Sequence, residues 1–259
     1  MSRVVLVLNA AMFVVELVFG LLAGSVALLA DSLGMPSAAA YDLLAGCTGF
    51  VYAIAQAYAM LSSGLSRRAL VVGGDVLSKI LDWDDRSTLV LFGDGAGAVV
   101  MEPVEHGGFL GFELGADGGG GENLWFPGSG SRRFVDPDSF VKMNGREVFR
   151  FATRIMVYSA EQILAECGKS VEDIDVYIPH QANKRIIDYA ADKLRIPREK
   201  TVVNVDRYGN TSSGSIPLAL VDARAEGRLH DGALVLMTGM GAGLTWGSAL
   251  IEWTNGRPT

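Results

Sequence analysis

The pattern of apolar and polar positions changes character near residue 34. Residues 4 to 30 are almost all apolar, interrupted only by Asn9, Glu16 and a few small residues. A membrane-spanning helix needs about 20 apolar residues, so this run is long enough to span a bilayer. A break at residues 20–25 favours one span plus the start of a second. A signal peptide and a buried core helix are the alternative interpretations of the segment.

Beyond residue 34, strand-like and helix-like patterns alternate, which indicates a layered α/β architecture. Helical periodicity predicts helices over 48–64, 151–168, 184–194 and 215–227. Apolar runs of strand length predict strands over 37–47, 67–76 and 171–180, a strand, glycine turn and strand over 87–104, and a glycine-turned hairpin over 233–253.

Composition narrows the classes of partner and cofactor. The 259 residues carry a net charge of −7, which argues against nucleic acid as the main partner. Two cysteines far apart in sequence make a disulfide framework improbable and a reducing cytoplasm the expected location. The three histidines, His106, His180 and His230, show no metal-ligand spacing, so we expect no metal site.

Cys47 stands where a predicted strand gives way to a predicted helix. The positive end of a helix dipole and its free N–H groups favour a thiolate, so we expect a lowered thiol pKa and a nucleophile. A buried structural cysteine is the other interpretation, and position alone does not separate the two. Cys167 lies late in an amphipathic helix and is interpreted as structural.

His180 and Asn210 are polar residues at the ends of predicted elements. His180 ends a buried strand, and Asn210 lies in a polar turn before a helix. Such ends collect in one crevice of an α/β fold, so we expect both to lie near Cys47.

Five motifs in this order resemble β-ketoacyl-acyl carrier protein synthase III. They are DLLAGCTGFVYAIAQAYAML, LVLFGDGAGAVV, PHQANKRII, NVDRYGNTSSGSIPLAL and GMGAGLTWGSALI, and the resemblance runs from about residue 35 to 253. It implies a thiolase-like αβαβα fold with an incomplete N-terminal half. It also implies a Cys47, His180 and Asn210 triad, and no cofactor beyond the acyl-CoA and malonyl-acyl carrier protein substrates.

The resemblance implies a decarboxylating condensation that initiates fatty acid synthesis, with Cys47 carrying the acyl group. The backbone N–H groups of Cys47 and Ala242 would stabilise each oxyanion; a tight hairpin turn without such a role is the other interpretation of the Gly241-Ala242-Gly243 run. The FGDGAGA run, residues 92–98, is interpreted as shaping the core rather than binding phosphate. Positions matched to substrate, CoA or carrier contacts are Phe149, Arg150, Asn183, Arg185 and Lys193. The partners implied are acyl carrier protein, acyl-CoA and a second copy of the chain as a homodimer.

The apolar segment carries a second resemblance. LNAAMFVVELVFGLLAGSVALLADSLGM is similar to the first span, and the start of the second, of cation diffusion facilitator transporters, over residues 4–35. The positions matching that family's metal ligands are Gly34 and Ala38, so we expect no transport. We interpret the segment as a fragment joined to the enzyme-like part, with membrane association through residues 4–30.

These resemblances predict three parts. Residues 1–34 form a hydrophobic helical segment, 35–125 the remainder of an N-terminal thiolase-like half, and 126–259 the C-terminal half. The alternatives to an active condensing enzyme are an inactive, truncated or chimeric fragment and a related ketosynthase of secondary metabolism.

Overall fold

The computed structural model of this chain describes residues 38–127 and 139–254. The chain divides into two compact units, 1–44 and 45–259. In the first unit the described residues 38–44 contain no helix or strand. The transporter-like residues 4–35 lie outside the described residues, and the three-part division at 34 and 125 stays a prediction. Within 38–127 and 139–254, no helix is long and apolar enough to cross a membrane.

The second unit alternates helices and strands as the sequence pattern predicts. Its α-helices are α1 (Gly49–Ser62), α2 (Arg86–Leu89), α3 (Gly145–Glu166), α4 (Lys184–Leu194), α5 (Val205–Tyr208) and α6 (Ser215–Ala225). Its strands are β1 (Ala69–Asp75), β2 (Gly95–Met101), β3 (Gly108–Ala116), β4 (Leu124–Trp125), β5 (Lys142–Met143), β6 (Val176–Pro179), β7 (Leu234–Gly241) and β8 (Thr245–Glu252).

A four-stranded sheet in the order β3-β8-β7-β6 forms the centre of this unit. Strand β6 runs parallel to β7, whereas β7 and β8 are antiparallel. Alternate residues of β7 point to opposite faces. Val235 and Met237 pack with α1 and α6, and Leu234 and Leu236 pack with α3 and α4. The sheet is therefore buried between two helical layers.

Helices α1 and α6 are also covered on their other side. Val71 of β1 and Met101 of β2 belong to the same core cluster as both helices, and β1 pairs with β2 in an antiparallel sheet. The described residues thus give four successive layers: sheet, helices, sheet, helices. This order agrees with the predicted thiolase-like αβαβα class.

Most predicted elements are confirmed, and three are wrong. The run 37–47 is not a strand: residues 39–45 are irregular and Gly46–Thr48 is a 3-10 helix. A strand needs a hydrogen-bonded neighbour, and no described strand pairs with these residues. Residues 86–89 form α2 instead of a strand, because the Asp85 side chain accepts the N–H of Ser87 at 2.9 Å as an N-cap.

The glycine run of residues 92–98 leads into β2, which begins at Gly95, and is not a turn between two strands. A Cβ at Gly93 would lie 2.4 Å from the carbonyl oxygen of Tyr208, and one at Gly97 would lie 2.8 Å from Pro217. No larger residue fits at these contacts. The run therefore lets β2 approach α6 and the loop that carries Asn210, which agrees with its predicted role in shaping the core.

Candidate active site

Cys47 lies in a 3-10 turn that leads directly into α1. The turn is fixed by Thr48, whose hydroxyl donates to the carbonyl of Ala45 at 2.6 Å and lies 2.8 Å from the hydroxyl of Thr245. Gly46 has a φ of +53°, a conformation that glycine adopts without strain. Cys47 as a whole residue is 7% exposed. The sequence prediction of a cysteine at a helix start is confirmed.

The pKa of the Cys47 thiol differs from the expected direction. Burial raises this pKa to about 11, because a buried site disfavours the charged thiolate. The hydroxyl of Ser212, which donates to the sulfur at 3.4 Å, lowers the pKa in part, and the nearby charge of Asp75 raises it. The expectation of a lowered pKa is wrong, since loss of water outweighs the donors at the start of the helix.

His180 follows the last residue of β6 and is fully buried. Its Nδ1 lies 2.5 Å from the hydroxyl oxygen of Ser215, at the start of α6. Its Nε2 has no hydrogen-bond partner in 38–127 and 139–254. Burial lowers the pKa of His180 to about 4, so the ring is neutral at pH 7.

Asn210 lies in the turn between α5 and α6 and is 7% exposed. Its backbone N–H donates to Leu91 and its carbonyl accepts from Gly93, both at 2.9 Å. Its side-chain oxygen accepts the N–H of Ser212 at 2.9 Å. Because the oxygen is held by the backbone, the amide nitrogen is the end of this side chain that remains for a ligand.

Cys47, His180 and Asn210 line one cavity of about 100 Å³. The remaining wall is mostly apolar and includes Leu91, Phe92, Leu124, Met143, Val148 and Phe149. The structure therefore brings the three predicted residues together, although they come from widely separated parts of the chain. A thiol, an imidazole and a carboxamide at one apolar pocket are the groups that thiol-based acyl transfer uses.

The tip of the β7–β8 hairpin closes one side of this cavity. A Cβ at Gly241 would lie 2.7 Å from both the backbone nitrogen and the Cβ of Cys47. The backbone N–H of Ala242 is one of the groups that lower the pKa of the thiol. The Gly241-Ala242-Gly243 turn therefore packs directly against Cys47.

The predicted binding residues have different surroundings. Phe149 lines the cavity, and the guanidinium of Arg185 lies 5.5 Å from the centre of its ring. Arg150 is paired with Glu147 at 3.1 Å and is largely exposed. Lys193 lies 5.6 Å from the ring of Tyr189, near the end of α4.

Asn183 also lines the cavity, and its side chain has a structural contact. Its oxygen accepts the N–H of Arg185 at 2.9 Å, which makes it the N-cap of α4. This contact sets the direction of α4 at the edge of the site.

Three polar residues at the site were missed by the sequence analysis. Ser212 contacts the thiol and Ser215 contacts His180. Gln181 joins two segments: its amide donates to the carbonyls of Pro179 and Val202, and its oxygen accepts the N–H of Asn204. Their position in the polar runs PHQAN and NTSSGS is the only sequence signal for them. In 38–127 and 139–254, no cluster of three or more metal-ligating side chains occurs.

The fold and the cavity define a thiolase-fold condensing enzyme, and comparison with known proteins identifies its family. The models of 3-oxoacyl-[acyl-carrier-protein] synthase III and of its C-terminal part match residues 41–118 and 164–253. The β-ketoacyl-[acyl-carrier-protein] synthase III of Desulfitobacterium hafniense is 50% identical over 234 residues, which cover 88% of this chain and 71% of that protein. The chain belongs to the β-ketoacyl-[acyl-carrier-protein] synthase III family.

Solved structures agree with this assignment. The crystal structure of β-ketoacyl-[acyl carrier protein] synthase III from Thermus thermophilus superposes with a TM-score of 0.84 at 49% identity, covering 89% of this chain and 73% of that one. The priming β-ketosynthase of the R1128 polyketide biosynthetic pathway superposes with a TM-score of 0.80 at 38% identity, covering 86% of this chain and 68% of that one. The mixed α/β fold is therefore thiolase-like, as predicted.

Proposed function

We propose that this chain condenses an acyl-CoA primer with malonyl-acyl carrier protein, releasing carbon dioxide and giving a β-ketoacyl-acyl carrier protein. The observation that carries the proposal is the common cavity of Cys47, His180 and Asn210. The family's names supply the carrier-protein substrate and the ketoacyl product. The product is the first β-ketoacyl intermediate of fatty acid synthesis.

The first half-reaction transfers the acyl group to Cys47. The sulfur attacks the thioester carbonyl of acyl-CoA, and the tetrahedral oxyanion accepts hydrogen bonds from the backbone N–H groups of Cys47 and Ala242. When the carbon–sulfur bond to CoA breaks, CoA leaves as a thiol that carries the proton lost by Cys47. Ser212 donates to the sulfur and so favours the thiolate that attacks.

The second half-reaction forms the new carbon–carbon bond. His180 and the amide nitrogen of Asn210 donate to the thioester carbonyl of the malonyl group, which stabilises the enolate left when carbon dioxide departs. The enolate carbon attacks the acyl group on Cys47, and the thiolate is expelled and regains a proton. A neutral His180 in a buried pocket suits this role, because it donates without bringing a charge.

We propose that the carrier protein docks on the exposed basic residues beside the cavity. Arg185 lies over Phe149 at the cavity wall, and Arg150 and Lys193 are exposed on α3 and α4. A local basic surface of this kind attracts acidic partners even though the net charge of the chain is −7. Asn183 would hold the start of α4 in place during docking.

The test separates acylation from condensation. The purified chain is incubated with acyl-CoA and analysed by intact mass, and then with malonyl-acyl carrier protein for release of carbon dioxide. We expect one acyl group per chain, lost in Cys47→Ala and retained in Cys167→Ala, which removes a half-buried thiol outside the cavity. A folded chain that is not acylated would overturn the proposal and favour the inactive-fragment interpretation.

A priming ketosynthase of secondary metabolism is the second candidate, because the R1128 enzyme superposes over most of this chain. The same acylation assay with primers of different length and branching separates the two functions. Preference for a primer absent from fatty acid synthesis would favour the second. A homodimer is proposed from the family resemblance, and sedimentation of the full chain measures it.

Membrane association through the transporter-like residues 4–30 is a proposal that rests on sequence alone. Flotation of the full chain with lipid vesicles tests it, with a variant lacking residues 4–30 as the control. Equal behaviour of the two chains would remove the proposal. We propose no transport activity for the segment.

A further inference from the structure

The hydroxyl of Ser215 connects the catalytic imidazole to the neighbouring backbone. Ser215 is the first residue of α6 and is 2% exposed. Its oxygen lies 2.5 Å from Nδ1 of His180 and accepts the backbone N–H of Gln181 at 3.4 Å. A buried hydroxyl with two such neighbours has a restricted choice of donor and acceptor roles.

A hydroxyl has one proton to donate, and a neutral imidazole has one N–H and one acceptor nitrogen. The N–H of Gln181 already donates to the oxygen of Ser215. If Ser215 donates to Nδ1 of His180, its proton is used and the ring proton must lie on Nε2. If instead Nδ1–H donates to Ser215, the hydroxyl proton has no acceptor among the hydrogen bonds of the described residues. A buried donor without an acceptor costs free energy, so the first arrangement is favoured.

The backbone that presents the Gln181 N–H is itself held firmly. The side chain of Gln181 donates to Pro179 at 2.8 Å and to Val202 at 3.1 Å, and its oxygen accepts from Asn204 at 2.9 Å. Gln181 therefore cannot turn its N–H away from Ser215 without breaking these contacts. The donor that forces the role of the hydroxyl is fixed by the fold.

We propose that Ser215 is a positioning residue that fixes His180 as the tautomer with its proton on Nε2. Nε2 is the ring nitrogen that is buried without a partner, and His180 lines the cavity with Cys47. The tautomer makes His180 a hydrogen-bond donor to a substrate carbonyl and leaves it no lone pair on Nε2 to deprotonate the thiol. Only the catalytic consequence rests on the proposed function; the tautomer itself does not.

The tautomer is measured by ¹⁵N NMR of the full chain labelled at histidine, at pH 7.5. The chain has three histidines, and His180→Asn assigns the signals of His180. We expect a protonated, pyrrole-like Nε2 and an unprotonated, pyridine-like Nδ1. A protonated Nδ1 in the unaltered chain would overturn the proposal, whatever the variants do.

The variants test the role of the hydroxyl. In Ser215→Ala we expect a mixture of tautomers and decarboxylation of the malonyl substrate slower by at least about ten-fold, with acylation of Cys47 retained. Ser215→Thr keeps the hydroxyl and should retain the Nε2–H tautomer. Ser248→Ala removes a fully buried hydroxyl of β8 that contacts Ser159 outside the cavity, and serves as the control.

The outcomes for the tautomer and for the function are distinguishable. An unchanged tautomer in folded Ser215→Ala would show that the hydroxyl does not set it, and would overturn the proposal. If the unaltered chain has the Nε2–H tautomer but releases no carbon dioxide, the proposed condensation fails while the inference about Ser215 stands. If Ser215→Ala does not fold, the spectrum of the unaltered chain and of Ser215→Thr decides.

Discussion

The buried thiol of Cys47 should ionise far above neutral pH. Burial raises its pKa from an ordinary 9.0 to about 11. The experiment varies the pH of a solution of the Cys167→Ala variant, in which Cys47 is the only thiol of the chain. We expect its alkylation by iodoacetamide to rise about ten-fold for each pH unit between 6.5 and 9.5, because only the thiolate reacts.

The magnitude follows from the two pKa values. At pH 8 about a tenth of a thiol with pKa 9.0 is ionised, whereas a thiol with pKa 11 is ionised in about one molecule per thousand. Ionisation alone therefore makes Cys47 about 100-fold less reactive at pH 8 than an ordinary thiol. The Ser212 hydroxyl lowers this pKa, so Ser212→Ala should slow alkylation further, by up to about ten-fold.

The assay is intact mass after timed alkylation, at fixed ionic strength. The double variant Cys47→Ala/Cys167→Ala, which has no thiol, measures the background reaction, and Cys47→Ala, which keeps Cys167, shows that the reagent alkylates a thiol across the pH range. We compare how steeply the alkylation rate rises with pH and not the absolute rate, because access of the reagent to the cavity affects only the absolute rate. A rate that levels off below pH 9 would refute the reasoning, because it would show that the N–H donors at the helix start outweigh burial.

Three further predictions follow from the geometry of the site. Burial lowers the pKa of His180 from 6.5 to about 4. Between these two pH values the unfolded chain therefore binds a proton at His180 that the folded chain does not bind. The free energy of unfolding should then fall by about 3 kcal/mol more from pH 6.5 to 4 than in His180→Gln, as measured by urea unfolding. Gly241→Ala places a Cβ 2.7 Å from the backbone nitrogen of Cys47, so we expect it to abolish acylation in the intact-mass assay. A Cβ at Gly118 meets nothing within 4 Å, so acylation of Gly118→Ala should be unchanged in the same assay. Arg185→Glu should raise the KM for malonyl-acyl carrier protein about ten-fold; an equal effect of Arg198→Glu, on the 3-10 turn after α4, would argue against a specific docking surface.

The convergence of the three site residues could be predicted because each stands at the end of an element. Cys47 precedes α1, His180 follows β6, and Asn210 lies before α6, and such ends meet at one edge of an α/β fold. The motifs around them also identified the family, which the comparisons confirm. Their shared cavity is the structural counterpart of that pattern.

The ionisation of these groups could not be predicted from the pattern. The sequence shows that Cys47 begins a helix, but not that the thiol is almost excluded from water. Ser212 points at the thiol from a backbone with a φ of +52°, which is unusual for a residue other than glycine and has no sequence signature. The predicted direction of the shift in the Cys47 pKa is therefore wrong, whereas the predicted position of the thiol at the start of a helix is confirmed.

Strand β3 is absent from the strands predicted from the sequence, because a glycine-rich run does not show a clear period-two pattern. Residues 108–116 pair with β8 except at Leu110, where the register shifts between Phe109 and Gly111. That irregularity and three glycines hide the alternation that marks a strand. The partner strand β8 lies far along the chain, so its pairing with β3 is a property of the fold and not of the local sequence.

The mutual contact between the Cys47 turn and the β7–β8 hairpin tip links the state of Cys47 to complete folding of the chain. A Cβ at Gly46 would lie 3.2 Å from the nitrogen of Ala242, and a Cβ at Gly241 would lie 2.7 Å from the nitrogen of Cys47. Each turn therefore packs closely against the other. The hairpin is made of the last strands of the described chain, and the thiol precedes its first helix. An incompletely folded chain lacks the backbone N–H of Ala242 beside the sulfur, so the acylation proposed for Cys47 would report that the hairpin tip has packed against the Cys47 turn.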